Sequence, residues 1–214
     1  MIEYIKSYPI ESLPVFLTLF PLITLTYRMS YKDLALRYFY VMLIIKLFLD
    51  FWMLYLASKG INNLIYYNAW IGISFLCLSA MLFHVIKNKL VRGIIITGYI
   101  IFCLTYVYDI HQAGFGKSLQ IAPTVQCFFI IFYILSFFYE LLDTLRVRNL
   151  AGYPLFWVCS GALIYYSCCL FITPIYYLFD VVEPNMNLYL LVMLPYIFES
   201  AFMLIVGIGA LAGE

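Results

Sequence analysis

Apolar residues run through this chain in seven long stretches, and polar residues concentrate in the short breaks between them. Each stretch is close to the ~20 residues that an α-helix needs to cross a bilayer. The stretches lack the alternation of polar and apolar residues that is typical of membrane barrel strands, and a helix satisfies its own backbone groups in lipid. We predict helices at residues 10–27, 37–57, 64–86, 90–108, 119–142, 153–178 and 186–212.

The breaks have the composition of loops. Gly60 and the pair Asn62–Asn63 separate the second run from the third, where they can stop one helix and start the next. Residues 87–92 form a tight turn, and two glycines follow the fourth run. The fold class that we predict is all-α, a single seven-transmembrane-helix bundle over residues 1–214 with no soluble domain.

Composition supports lipid as the main solvent of this surface. Apolar residues make up 66% of the chain and charged residues only 11%, whereas a soluble domain carries about 25% charged residues. Membrane lipids are therefore expected partners. The formal net charge is +1 with no basic block, so we expect no nucleic-acid partner.

The positions of Lys and Arg predict how the helices are oriented, because cytoplasmic loops carry an excess of both. The first, third and fifth breaks hold eight of them: Arg28, Lys32, Arg37, Lys87, Lys89, Arg92, Arg146 and Arg148. The opposite side holds Lys6, Lys59 and Lys117. We therefore predict the N-terminus outside and the C-terminus in the cytoplasm. Acidic residues near the N-terminus argue against a cleaved signal peptide, so we expect the first helix to remain.

Cysteine and histidine do not form the patterns that hold metals. The six cysteines all lie in apolar runs without a CxxC pair: Cys77, Cys103, Cys127, Cys159, Cys168 and Cys169. The two histidines, His84 and His111, are expected near opposite membrane faces. We predict no disulfide, no metal site and no cofactor.

Three charged residues fall well inside the apolar runs, where each costs at least ~2.5 kcal/mol unless it has a partner or a wet cavity. Lys46 and Asp50 are four residues apart on one face of the second helix, and Glu199 lies near the middle of the seventh. We predict that the three meet inside the bundle as a ligand-binding or buried polar site, with Asn68 and Gln126 adding polar contacts on the outer half. A purely structural ion pair is the alternative.

No residue pattern in the chain predicts catalysis. The last helix lacks the lysine of a retinal protein, and the motifs of eukaryotic G-protein receptors are missing. Zinc-dependent membrane hydrolases need clustered histidines, whereas the two histidines of this chain are expected near opposite membrane faces. Buried carboxylates keep an intramembrane lipid hydrolase as a weak alternative. Pro195, one turn before Glu199, predicts an irregular helix of the kind found in transporters and receptors.

A second charged cluster is expected at the cytoplasmic end. Glu140 ends the fifth run and His84 ends the third, close to Lys87 and Lys89. These side chains are candidates for a layer of ion pairs, and a solvated interfacial rim is the alternative.

Two segments resemble a known family. The run GINNLIYYNAWIGISFL at residues 60–76 and the run YPLFWVCSGALIYYSCCLFI at residues 153–172 are similar to stretches in short seven-helix proteins of Bacteroidota. Those proteins occur alone and as membrane modules of sensor histidine kinases. The residues that carry the match are Asn62, Asn63, Asn68, Pro154, Phe156, Trp157, Gly161 and Tyr165. The resemblance implies a multi-pass protein of the bacterial inner membrane with a sensory role, and it supplies no catalytic residues.

The function predicted on these grounds is that of a non-enzymatic sensory or signalling-accessory protein that binds a small or lipidic ligand in the bundle. Its partner would be a separate signalling protein, because the chain has no kinase domain. The alternatives are a transporter or channel subunit and a structural subunit of a membrane complex. A polar path from one side to the other favours transport, a closed outer pocket favours sensing, and a carboxylate pair around a water favours hydrolysis.

Overall fold

Helices follow the apolar runs of the sequence, with ends that differ by at most five residues from the predicted ones. The computed structural model of the chain describes residues 2–29, 32–114, 116–144, 149–182 and 189–212, in which no strand occurs. In chain order the helices are α1 (Ile2–Ser7), α2 (Pro9–Leu17), α3 (Leu19–Tyr27), α4 (Leu34–Ser58), α5 (Leu64–Val85), α6 (Lys89–Ala113), α7 (Ile121–Thr144), α8 (Pro154–Val182) and α9 (Tyr189–Ala212).

Seven stretches of these helices are long and apolar enough to cross a bilayer, with α2 and α3 together forming the first. The predicted all-α fold with seven spanning helices is confirmed at this level. We call the end of the bundle that holds residues 59–63 and 116–120 the outer end, after the orientation that the sequence predicts. The opposite end, which holds residues 86–88, is the inner end.

The first span is broken near its middle. Pro21 has no N–H to donate to the carbonyl of Leu17, and the chain forms a turn at Thr18 between α2 and α3. The hydroxyl of Thr18 donates to the carbonyl of Pro14 at 2.8 Å, so the break keeps its polar groups bonded inside the bundle. A single helix over 10–27 was predicted, and the short helix α1 ahead of it was not.

The α6–α7 hairpin is held at both ends by carboxylates. Asp109, near the end of α6, accepts hydrogen bonds from the backbone N–H groups of Gln120, Ile121 and Ala122 at 3.1, 2.7 and 2.7 Å. Asp109 therefore caps the start of α7 at the outer end, where the free N–H groups and the helix dipole favour a negative charge.

At the inner end of the same hairpin, Glu140 of α7 accepts from the backbone N–H groups of Lys87 and Asn88. These two residues come directly before α6, so Glu140 accepts from the main chain at the start of α6. Glu140 was predicted to join a charged layer at this end, and its carboxylate accepts from these backbone N–H groups there. His84 lies beside Tyr38, with its Nε2 3.0 Å from the phenol oxygen. Arg146 and Arg148 lie outside the described residues.

Helix α6 is longer than predicted. Apolar character ends near residue 108, yet the helix continues through a polar turn to Ala113, and Gly114 follows with φ +81°. The buried Asp109 explains the extension, because its role as a cap for α7 requires it to stay on the helix.

Small residues let α9 approach its neighbours closely. A Cβ on Gly207 would lie 2.1 Å from the Phe20 ring of α3, and a Cβ on Gly209 would lie 2.0 Å from Cγ of Trp157 on α8. Glycine at these two positions therefore lets the helix backbones approach closely.

The ends of α3 and α9 are joined at the inner end. The guanidinium of Arg28 donates to the carbonyl of Leu211 in the last turn of α9, where a cation complements the negative end of the helix dipole. The C-terminal part of α9 is thereby tied to the break after α3.

Candidate functional site

Three charged side chains meet in the centre of the bundle. Nζ of Lys46 on α4 lies 2.7 Å from Oδ2 of Asp50 and 2.7 Å from Oε1 of Glu199 on α9. The exposed fractions of the three side chains are 2%, 8% and 14%. The sequence predicted this meeting, and we call the three residues the charged triad.

Each member of the triad is placed by helix geometry. Lys46 and Asp50 are one turn apart, which brings their side chains together on one face of α4. Helix α9 packs closely on α2, α3 and α8, and the long side chain of Lys46 reaches from α4 to α9. Removing one partner of such a buried ion pair is costly, because the other charge is left uncompensated.

An aromatic ring covers the lysine. The Trp70 ring centroid on α5 lies 5.2 Å from Nζ of Lys46, which is within the range of a cation–π contact. Trp70 therefore belongs to the interior site, where it also lines the cavity beside the triad.

A cavity of about 430 Å³ extends from the outer end down to the triad. Its lining comes from α1 and from the outer halves of α2, α4, α5, α7, α8 and α9, with Asn63 and Ser118 contributed by the loops. Most of the wall is apolar, and tyrosines recur on it. Such a concave, mainly apolar space with a few convergent polar groups is the usual form of a small-molecule site.

Polar groups on the wall of the cavity are bonded to one another. Nε2 of Gln126 on α7 donates to the hydroxyl of Ser74 at 2.8 Å and contacts the phenol of Tyr166 at 3.3 Å. This network joins α5, α7 and α8. The predicted contact residue Gln126 therefore lines the same cavity as the triad.

Near the outer end, Glu11 and Tyr4 line the cavity together. The Tyr4 hydroxyl donates to Oε2 of Glu11 at 3.0 Å. Burial and the Glu11 carboxylate raise the pKa of Tyr4 to about 12, so this phenol keeps its proton at neutral pH. Glu11 places a third carboxylate on the lining.

Packed apolar side chains close the cavity at the level of the triad. Phe39 and Leu43, toward the inner end of α4, are fully buried, and Phe202 of α9 is 4% exposed. The rings of Phe39 and Phe202 lie 6.0 Å apart, and Tyr165 stacks on Phe202 at 6.1 Å. The described lining of the cavity thus belongs to one half of the bundle.

No family model, no curated protein and no solved structure matches this chain. The arrangement of its own side chains therefore carries the functional argument.

One predicted site residue lies elsewhere. Asn68 is buried, and its side-chain amide donates to the backbone carbonyl of Lys117 at 2.8 Å. The backbone carbonyl of Asn68 accepts from the Tyr106 hydroxyl at 3.0 Å. These bonds tie α5 to α6 and to the loop before α7. Asn68 thus makes buried polar contacts on the outer half, as predicted, but it is not among the residues that line the cavity.

Several cavity residues were not predicted. Glu11 has the sequence signal of an acid at the start of an apolar run, seven residues after a tyrosine. Tyr165, Tyr166 and Tyr196 line the cavity, but their positions in apolar helices suit a lipid interface or a core equally well. Only the packing of α8 against α7 and α9 separates these possibilities.

The six cysteines are all free thiols, and Cys127 and Cys169 face the cavity. Over the described ranges, no three His, Cys, Asp or Glu residues lie close enough together to hold a metal ion.

Proposed function

We propose that this chain is a sensory or signalling-accessory protein of the bacterial inner membrane that binds a small or lipidic ligand in the outer cavity, without catalysing a reaction on it. The observation that carries the proposal is the one-sided cavity of about 430 Å³ with a charged triad at its floor. A site of this volume suits a small molecule or part of a lipid.

The closed inner half favours binding over transport. A substrate path would have to pass Phe39, Leu43 and Phe202, whose side chains are packed around the level of the triad. A bound ligand instead contacts α4, α5, α8 and α9 at once, so it can favour one arrangement of these helices over another. A separate signalling protein would then read the change at the inner end.

Hydrolysis receives less support from the geometry. Asp50 and Glu199 each hold Nζ of Lys46 at 2.7 Å, so both carboxylates already share a cation. A carboxylate pair arranged around a water is the geometry that hydrolysis would favour.

The second candidate function, a transporter subunit, is favoured by one observation. Pro195 lies inside α9 and lines the cavity one turn before Glu199. Because proline cannot bond to the carbonyl of Leu191, α9 has a weak point beside the triad. Movement at this point is what alternating access would need.

Copurification of ligand tests the binding proposal. The protein is extracted directly from membranes into nanodiscs and studied by native mass spectrometry, as wild type and as two tryptophan variants. Ala57→Trp fills the cavity, whereas Val107→Trp adds the same side chain to an exposed, lipid-facing site on α6. We expect a bound small molecule in wild type and Val107→Trp and its loss in Ala57→Trp. Equal ligand content in all three proteins would contradict a ligand in this cavity.

A cysteine in the packed layer separates sensing from transport. In a cysteine-free background, Leu43→Cys should resist membrane-impermeant thiol reagents from both sides, because position 43 is fully buried below the triad. Ala57→Cys, at the cavity, serves as the reactive control from the outer side. Labelling of Leu43→Cys from the inner side would favour the transporter.

A further inference from the structure

We propose that the ligand of the outer cavity carries an ammonium group on an apolar body, and that this group binds at Glu199 among the aromatic side chains of the cavity. The inference rests on the proposed function and names the chemical class of the ligand. An amine or quaternary ammonium fits, either as a free compound or as the headgroup of a lipid.

The charge of the cavity is the first argument. Its described lining contains one lysine and three carboxylates, Asp50, Glu199 and Glu11, which leaves an excess of two formal negative charges at neutral pH. In the low-dielectric interior such an excess attracts a cation and repels an anion strongly.

The lysine has little capacity left for an anion. Two carboxylate oxygens lie 2.7 Å from its Nζ, and the Trp70 ring covers it at 5.2 Å. Lys46 is 2% exposed. An anionic ligand would have to displace Asp50 or Glu199 from the lysine and leave a carboxylate uncompensated.

Glu199 has the most exposed side chain of the triad, at 14%, and it lines the cavity. Its Oε1 is the carboxylate oxygen that contacts Nζ of Lys46. An ammonium group at Oε2 would neutralise the excess charge at the floor and form a charge-assisted hydrogen bond if it carries a proton.

Aromatic side chains line the cavity near this position. The Trp70 ring lies 5.2 Å from Nζ of Lys46, and Tyr196 comes three residues before Glu199 on α9. Tyr165 on α8 and Tyr67, one turn before Trp70 on α5, line the same cavity. Rings of this kind bind ammonium and quaternary ammonium groups through their electron-rich faces. The remaining apolar lining would hold the rest of the ligand.

Equilibrium binding of tritiated hexyltrimethylammonium tests the inference, with protein in maltoside micelles that carry no charge. Hexylamine should compete, whereas hexanol and hexanoate should compete at least ~10-fold less well, since a hydrogen bond or contact to a charged group contributes about a factor of ten or more. This series uses the wild-type protein, so it does not depend on the folding of a variant. Equal competition by hexanol, or stronger competition by hexanoate, would overturn the inference.

A variant locates the ammonium group. Glu199→Gln should weaken binding of hexyltrimethylammonium ~10-fold or more. Asp143→Asn, which removes one exposed carboxylate at the inner end of α7, should leave it unchanged. Unaltered binding in Glu199→Gln, with a folded protein by its thermal transition, would place the cation elsewhere and contradict the proposal.

Added lipids distinguish the two sources of the ammonium group. Displacement of the probe by phosphatidylethanolamine, with no effect of phosphatidylglycerol, indicates a lipid headgroup. No displacement by either lipid indicates a free amine. Displacement by phosphatidylglycerol alone would overturn the preference for a cation.

If hexanol binds as well as the cation and Ala57→Trp abolishes that binding, the cavity still binds ligands and only the ammonium inference fails.

Discussion

Lys46 and Glu199 meet across the bundle, with Nζ of the lysine 2.7 Å from Oε1 of the carboxylate. Because Asp50 lies at the same distance from Nζ, one cation holds two anions that belong to different helices. The lysine is thus the member of the triad whose loss strands the most charge.

We therefore expect Lys46→Met to destabilise the protein more than Glu199→Gln. The lysine variant leaves two buried carboxylates without a cation, at a cost of about 3–5 kcal/mol. Glu199→Gln keeps the Lys46–Asp50 pair, so its cost should be about 1–3 kcal/mol. Thermal unfolding of the purified variants in one detergent gives the ranking.

A triple variant controls for the loss of the lysine stem. Lys46→Met combined with Asp50→Asn and Glu199→Gln removes all three charges and should recover part of the stability lost in Lys46→Met alone. A triple variant that is less stable than Lys46→Met would show that packing of the lysine side chain, and not stranded charge, explains the loss.

The carboxylate cap of Asp109 should stabilise the start of α7. Asp109→Asn weakens three bonds to the N–H groups of residues 120–122, and we expect a loss of about 1–3 kcal/mol. Hydrogen exchange at Ile121 and Ala122 should become faster. Asp143→Asn is the matched control, because that carboxylate is exposed at the other end of α7. Equal stability and equal hydrogen exchange in the two variants would contradict a stabilising role for the Asp109 cap.

Close packing of α9 on α8 should make Gly209 intolerant of a methyl group. A Cβ there would lie 2.0 Å from Trp157, and overpacking of this kind costs about 1–3 kcal/mol. Gly93→Ala on α6 meets no atom within 4 Å, so it should be neutral or stabilising by up to ~1 kcal/mol. Thermal unfolding of the two alanine variants compares them, and equal midpoints would contradict the predicted crowding.

The orientation in the membrane remains a prediction from the loops. In a cysteine-free background, Lys117→Cys at the outer end should react with an impermeant maleimide added to intact spheroplasts. Lys87→Cys at the inner end should react only after the membrane is opened. The reverse labelling pattern would show that the bundle has the opposite orientation in the membrane, with the cavity on the cytoplasmic side.

The sequence predicted the fold well because the cost of exposing polar backbone to lipid forces long apolar runs into helices. It located Lys46, Asp50 and Glu199 for the same reason, since a charge inside a span needs a partner. It did not predict the break at Thr18 or the extension of α6 through Asp109. Both depend on contacts between helices that no local pattern contains.

The cavity could not be predicted from the sequence. Tyr165 and Tyr196 have the same residue type and helical setting as tyrosines that face lipid, such as Tyr139, which is 72% exposed. Glu11 stands at the start of the first apolar run. Which of these side chains share a space depends on how α8 and α9 pack, and that arrangement decides the site.

An experimental density map of the protein in membrane-derived nanodiscs is the most direct test of a ligand in the outer cavity. We expect density that belongs to no protein atom, in contact with Glu199 and enclosed by Trp70, Tyr165 and Tyr196. A cavity filled only by ordered water, or closed by movement of these three rings onto the triad, would contradict a ligand-binding role and leave Lys46, Asp50 and Glu199 as a structural ion cluster.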